Sequence, residues 1–265
     1  MALEAAARNS GTSAIVTGGG QGVGLAIAEQ LVAEGGRKLA LVGRTAQKLE
    51  DAAGRLRGLG ATVVTIAADV SDAAACERVV REAIDGLGSV NALVNAAATS
   101  ARGSLTETTP ELFDTIFAIN VRGPFFLMQG LVRHLLDTGQ PGSIVNILSM
   151  SGHGGQDFLS AYSTSKGAMN TLTRNVAMAY RHKRIRCNAI LPGWMDTAGE
   201  DMVQKTWHSA ADDWLAKAEA AQPFGQLVKP AQLAVLAAYM LSPQSGVMTG
   251  ALVDYDQNVI GAEPI

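Results

Sequence analysis

Apolar residues along the 265-residue chain gather into short, nearly continuous runs, and longer stretches of helical spacing alternate with them from end to end. Continuous runs of about four to eight apolar residues suit strands covered on both faces. Their alternation with helices is the signature of a parallel sheet wrapped by helices. The pattern predicts strands over residues 13–17, 38–43, 62–67, 90–94, 143–147, 184–191 and 252–254, and helices over 23–34, 46–58, 72–87, 110–136, 161–182 and 230–241. Thr109-Pro110 and Lys229-Pro230 mark helix starts, because proline suits the first helical position. No linker, repeat or shift of composition divides the chain. The expected architecture is therefore a single α/β domain over 1–265: a doubly wound, Rossmann-type, seven-stranded parallel sheet flanked by helices, with a flexible N-terminus over 1–12.

Residues 194–225 break the rhythm. They are polar, contain all three Trp of the chain and follow a strand, where open α/β sheets bind ligands; they are read as a substrate lid.

Composition narrows the classes. With 48% hydrophobic residues the chain is not disordered, and 21 Lys+Arg against 24 Asp+Glu leave no basic excess for nucleic acid or an anionic membrane. Cys76 and Cys187 form no CxxC or Cys/His cluster, so no metal site is expected and both read as small buried hydrophobes. Residues 1–12 lack the apolar core of a signal peptide, and the longest apolar run, 233–241, is about half a bilayer span, so a cytoplasmic protein is expected.

Between the first strand and first helix lies Thr17-Gly18-Gly19-Gly20-Gln21-Gly22-Val23-Gly24, a TGxxxGxG loop. Glycines there let the backbone turn tightly and approach a pyrophosphate held at the positive end of the helix. Gly18, Gly20, Gln21, Gly22, Val23 and Gly24 are the candidate phosphate-loop residues. An NAD binder usually carries an acid at the end of the second strand; here the strand ends Gly43-Arg44, and an arginine can pair with a 2′-phosphate. NADP is the expected cofactor. Neutral Gln21 keeps NAD as the alternative, and Arg44 can also be read as a solvated surface charge.

Tyr162 and Lys166 stand four residues apart on one face of a predicted helix. A phenol titrates near 10 in water, so it becomes a base near neutrality only if a cation such as Lys166 stabilises the phenolate. Ser149 follows the strand over 143–147, and Asn95-Ala96-Ala97 follows the strand over 90–94. Taken singly, Ser149 and Asn95 could be strand-end caps, and Tyr162 with Lys166 an amphipathic surface pair. Together with Asp69-Val70, Asn120, and Pro192-Gly193 followed by Thr197, these motifs in this order resemble the short-chain dehydrogenase/reductase family over nearly the whole chain.

That resemblance implies Tyr162 as general acid/base, Ser149 bonding the substrate oxygen, and Lys166 depressing the Tyr162 pKa while holding the nicotinamide ribose. It implies Asn120 holding a proton-relaying water, Asp69 and Val70 at the adenine, Asn95, Ala96 and Ala97 on the adenosine side, and Pro192, Gly193, Met195 and Thr197 at the nicotinamide. It also implies a homotetramer paired through the helices over 110–136 and 161–182. Three departures stand out: Ala97 where Gly is usual, Val94 for the common first Asn, and Val253-Asp254-Tyr255-Asp256-Gln257 where Val-Asp-Gly-Gly is usual, which suggests a reshaped tail that closes a pocket.

The lid offers Trp194, Glu200, Asp201, Gln204, Trp207, His208, Asp212 and Asp213, with Ser151, His153 and Gln156 close behind Ser149. Aromatic faces and hydrogen-bonding groups suit a small carbohydrate or polyol, so Ser149, Ser151, Gln156, Tyr162, Trp194 and Trp207 are the candidate substrate contacts. The expected reaction is hydride transfer from a sugar or polyol carbinol, with aldose C1 oxidation as one version. The alternatives are a 3-oxoacyl-thioester reductase, which calls for a basic patch near Arg122, Arg133 or Arg174, and a nucleotide-binding scaffold without turnover.

Overall fold

Strands β1 (Ser13–Thr17), β2 (Lys38–Gly43), β3 (Thr62–Ala67), β4 (Ala92–Asn95), β5 (Gly142–Ile147), β6 (Ile185–Pro192) and β7 (Leu252–Tyr255) pair into one sheet in the order β3-β2-β1-β4-β5-β6-β7. Every pairing is parallel, with registers such as Val16 beside Val94 and Asn95 beside Asn146. This computed structural model describes residues 7–261. Helices α1 (Gly22–Ala33), α2 (Ala46–Gly58), α3 (Ala73–Leu87), α4 (Pro110–Phe117), α5 (Gly123–Thr138), α6 (Ser160–Tyr180), α7 (Ala198–His208), α8 (Trp214–Ala220) and α9 (Pro230–Leu241) carry the crossovers and the segment over 194–225.

The apolar strands are continuous because alternate residues serve opposite layers. Ala14, Val16, Leu39 and Leu41 pack with Leu31 of α1, Leu49 and Leu56 of α2 and Leu233 of α9. Ile15, Ala40, Val42 and Leu93 pack with Val79 of α3, Leu131 of α5 and Met169 of α6 on the other face. Both cysteines are buried there as free thiols. Helix starts follow the expected chemistry: Thr109 Oγ1 accepts from Leu112 N at 3.2 Å, with Pro110 in the first turn of α4.

Two expectations change. The helix over 110–136 is broken by a π turn at Ala118–Arg122. A π turn absorbs one surplus residue in a helix and is common at functional sites; this one carries Asn120. Just beyond it α5 runs against the end of β3, where a Cβ on Gly123 would lie 2.4 Å from the Val70 carbonyl oxygen. The apolar face of this helical stretch (Leu127, Met128, Leu131, Leu135) lies in the fold's own core.

The flexible N-terminus does not extend to residue 12. Residues 1–6 lie outside the described residues, but Asn9 is fully buried. Asn9 Nδ2 donates to Glu34 Oε2 at 2.6 Å and to Ala238 O at 3.1 Å, and Arg8 Nε and Gln30 Nε2 donate to the same carboxylate, each at 2.6 Å. Glu34, buried at the end of α1, thus ties the arm to α1 and α9. Glu34→Ala leaves the Arg8 guanidinium without its partner, and the expected cost is about 2–4 kcal/mol, read as a lower urea midpoint with an unchanged m value.

Candidate active site

Strand order reverses between β1 and β4, which opens a crevice at their carboxyl ends. Thr17 Oγ1 accepts from Ala96 N and Ala97 N, both at 3.0 Å, and pins the two strand ends together. Gly18 turns away at φ +67, so close to β4 that a Cβ would lie 3.2 Å from Ala96 O and Ala97 N. A Cβ on Gly24 would lie 2.5 Å from Gly18 O, so only glycine lets α1 start this tightly. Gly22 is at φ +55 with nothing within 4 Å, so glycine is needed there for its backbone conformation and not for space. Gln21 at the N-cap makes no side-chain cap bond, so the first amides of α1 have no side-chain competitor for an anion. This cradle fits a pyrophosphate.

At the adenosine end Arg44 is exposed where β2 stops. The sequence reading missed its neighbour: Lys48 Nζ donates to Gln21 Oε1 at 2.6 Å, and the Lys48 backbone packs on Gly20. A second cation therefore stands where Gln21 alone suggested none. Asp69 Oδ1 accepts from Ser71 N at 2.9 Å; Ser71 holds its carboxyl below the usual range, with a smaller contribution from the Arg44 charge. Val70 is buried beneath Gly123.

Asn95 behaves differently from expectation. Its side chain is buried inside the sheet, with Nδ2 donating to Asn146 Oδ1 at 2.8 Å, and Asn146 Nδ2 donates in turn to Thr173 Oγ1 at 2.9 Å. It joins β4, β5 and α6 instead of facing the groove, whereas Ala96 beside it lines the cavity.

A cavity of about 920 Å³ is lined by Val23 and Ala96, by Ser149, Tyr162 and Lys166, and by Pro192, Gly193, Met195 and Thr197. Ser149 lies past β5, where its Oγ accepts from Ser151 N at 3.1 Å. The hydroxyl proton is left to donate, and Ser149 is near enough to the Tyr162 phenol to favour its phenolate form. Lys166 is nearly fully buried; Nζ donates to Ile147 O at 3.0 Å and lies 5.6 Å from the Tyr162 ring centroid. Burial pushes the Tyr162 phenol above its ordinary value, opposed by Ser149 and by the Arg102 charge. Burial also pulls Lys166 from 10.5 down to about 8. For Tyr162 burial outweighs the neighbours that favour the phenolate, because a low dielectric disfavours the charged form.

Asn120 has both amide hydrogens engaged. Its Oδ1 accepts from Thr99 N at 2.9 Å, while Nδ2 donates to Thr99 O at 2.9 Å and Ser165 Oγ at 3.1 Å. With both amide hydrogens used, it holds the β4–α4 loop against α6 and is not free to hold a water through its donors.

The segment over 194–225, read from the sequence as a lid, is built of α7 and α8. Trp214 is buried and stacks on Trp194 at 6.0 Å, its Nε1 donating to Asp201 Oδ1 at 2.8 Å. Ser151, Gln156 and Trp194 line the cavity as expected, with Ser151 Oγ donating to Gln156 Oε1 at 2.5 Å. Trp207 does not: it is 56% exposed on the outside of α7, while Glu200, Gln204 and His208 of that helix face inward. Arg102 and Asp256 also line the wall. Arg102 belongs to no motif, and Asp256 was visible only as a departure from Val-Asp-Gly-Gly. Arg122, proposed for a basic patch, directs Nε and Nη2 to Ser71 O at 3.2 and 2.6 Å.

A glycine cradle at the strand switch, leading to a cavity lined by Ser149, Tyr162 and the buried Lys166, defines a nucleotide-dependent oxidoreductase. Residues 12–208 match the profile of the short chain dehydrogenase family, and the chain belongs to that family. It is an NAD(P)-dependent enzyme of this kind. It is 32% identical over 255 residues to a sorbitol dehydrogenase of Cereibacter sphaeroides, covering 94% of this chain and 97% of that one. Among solved structures it resembles an NAD+-bound xylitol dehydrogenase (TM-score 0.84, 28% identity, 94% and 98% coverage). It also resembles an actinorhodin polyketide ketoreductase with NADPH (TM-score 0.85, 27% identity, 94% and 97% coverage).

The depressed Lys166 has a consequence for stability. Between about 8 and 10.5 the unfolded chain holds the lysine proton that the folded chain has lost, so this group makes stability rise with pH across that window. Cys76 and Cys187, raised by burial to about 11 and about 12, act in the opposite direction at higher pH. In urea unfolding of cofactor-free protein, the wild type should gain about 2 kcal/mol relative to Lys166→Met between pH about 7.5 and about 9.5.

Proposed function

We propose that the protein transfers hydride between a sugar or polyol carbinol and NADP, with Tyr162 as the general acid/base. The observation that carries this reading is the convergence of Ser149, Tyr162 and Lys166 on one cavity that also carries Ser151, Gln156 and Gln204 on its walls. Such a lining replaces the water that several hydroxyls lose on entry. The sorbitol and xylitol dehydrogenases among its likenesses support the substrate class.

The nicotinamide, when bound, supplies the hydride acceptor for the carbinol carbon. Ser149 donates a hydrogen bond to the carbinol oxygen and orients it toward Tyr162. Tyr162 takes the hydroxyl proton while the C–H electron pair leaves with hydrogen as hydride, so a carbonyl forms; reduction reverses each step. Lys166, charged below about 8, favours the phenolate once Tyr162 gives up its proton, and its remaining N–H donors are free for a ribose hydroxyl. Asn120 and Asn95 act through others, holding the β4–α4 loop and the strand end that border the cavity.

Arg44 and Lys48 support NADP ahead of NAD, since paired cations suit a 2′-phosphate. Exposed Phe113, Phe125 and Met178 on α4, α5 and α6 support assembly through these helices into a homotetramer.

Absorbance assays of nicotinamide reduction across aldoses, polyols and 3-oxoacyl esters test the substrate class; turnover confined to the acyl esters overturns it. With the best polyol, Tyr162→Phe should lower kcat by about 10²–10⁴-fold, and an unchanged kcat removes Tyr162 from the chemistry. The double variant Arg44→Ala, Lys48→Ala should raise KM for NADP at least about 10-fold more than for NAD.

A further inference from the structure

Asp256 is unused by the mechanism above, yet it lines the same cavity as Ser149 and Tyr162. It is the first residue past β7 and stands where Val-Asp-Gly-Gly would carry its last glycine. Neighbouring strand ends bring it to the cavity. β5, β6 and β7 are adjacent in the sheet, and Pro192 pairs with Tyr255, so Gly193 and Asp256 leave the sheet side by side. The Asp256 carboxylate lies directly on Gly193, where a Cβ would collide with its Oδ1 and Cγ.

The tail is fastened on both sides of this residue. Before it, Asp254 Oδ1 lies 2.9 Å from His153 Nε2, on the turn that follows Ser149. After it, Gln257 Nε2 donates to Gln226 O and Gln257 Oε1 accepts from Phe224 N, both at 2.7 Å. The carboxylate they hold is only partly satisfied. Oδ2 accepts from Asn258 Nδ2 at 3.0 Å, whereas Oδ1 accepts no hydrogen bond among the described residues. An ionised carboxylate offers about four acceptor sites, so capacity remains for a ligand.

The charges around it narrow the ligand's chemistry. Arg102 is paired with Glu200 at 3.9 Å, and Lys166 lies 5.6 Å from the Tyr162 ring centroid. A cationic substrate would meet Arg102 and Lys166, and an anionic one would meet Glu200 and Asp256, all of which line the cavity. A neutral chain of hydroxyls avoids both repulsions, and its O–H groups replace the water that the carboxylate loses. Ser149 follows β5 and Asp256 follows β7, two strand spacings or about 10 Å apart. The hydroxyl that reaches Asp256 therefore lies several carbons from the one held by Ser149.

We propose that Asp256 is a specificity-determining substrate contact: its Oδ1 accepts a hydrogen bond from a hydroxyl several carbons beyond the carbinol presented to Tyr162, so that a polyol is selected over a chain hydroxylated at one end only. This rests on the reading of Tyr162 as the carbinol site.

The test compares sorbitol with 1,2-hexanediol, which keeps the carbon chain and one terminal diol but lacks the remaining hydroxyls, as substrates with NADP in wild type, Asp256→Asn and Asp256→Leu. The wild type should favour sorbitol by about 10–100-fold in kcat/KM. Asp256→Leu, similar in size but without an acceptor, should cut that preference at least about 10-fold, and Asp256→Asn, which keeps one acceptor oxygen, should fall between. The change should be carried by sorbitol. Because each ratio is taken within one protein, a general loss of activity cancels. No preference in the wild type, the same preference in Asp256→Leu, or a change carried by 1,2-hexanediol alone overturns the contact. If neither alcohol turns over, the carbinol reading fails, and the contact is then judged by binding. Sorbitol should raise the unfolding temperature of the NADP-loaded wild type more than that of NADP-loaded Asp256→Leu; equal or absent shifts overturn it.

Discussion

One hydroxyl decides where the site can exist. Thr17 Oγ1 takes the amides of both Ala96 and Ala97 at the point where strand order reverses. This bond closes the end of β1 against β4 and leaves the chain to diverge immediately afterwards, through Gly18 on one side and the β4–α4 loop on the other. The glycine cradle, the cavity mouth and the loop bearing Arg102 all inherit their positions from that junction. Asn95 and Asn146 repeat the device one layer deeper, where a polar bridge across β4 and β5 holds the strand ends in register.

The chemistry of the cavity is governed by a shortage of water. Tyr162 and Lys166 are both pushed toward their neutral forms, so neither is well suited to its task alone. Bringing phenolate and ammonium together offsets the desolvation of each, which is why a base of ordinarily high pKa can serve in a buried site. Arg102 adds a third charged group under the same constraint, paired at 3.9 Å with Glu200, whereas Lys229 is held more closely by Asp196 and Glu219.

The fold was legible because the strands are apolar runs and helices such as α3, α4 and α9 begin with a cap or a proline, signals that depend only on neighbours in the chain. The cradle was legible for the same reason: Gly18, Gly22 and Gly24 act through local backbone shape. Residues whose roles depend on distant partners were not. Asn95 looked like a groove residue because its bond to Asn146, from another strand, leaves no trace in spacing. Trp207 and Trp214 are alike in the sequence, and only the rotation of α7 and the packing of α8 turn one outward and the other in. The π turn was hidden because an apolar helix pattern tolerates one surplus residue. Arg102 and Lys48 gain meaning only from what faces them across the crevice.

The segment over 194–225, the proposed lid, divides its labour between two sets of side chains. Trp214, Ala218 and Leu227 form a small core of their own, and Lys229 fastens its base, whereas Gln204 and His208 of α7 face the cavity. The groups that keep the lid folded are thus largely separate from those that meet a substrate. A lineage could exchange the inward residues one at a time and explore new substrates while the lid's own stability stayed nearly constant, which makes this segment a natural site of divergence on an otherwise fixed frame.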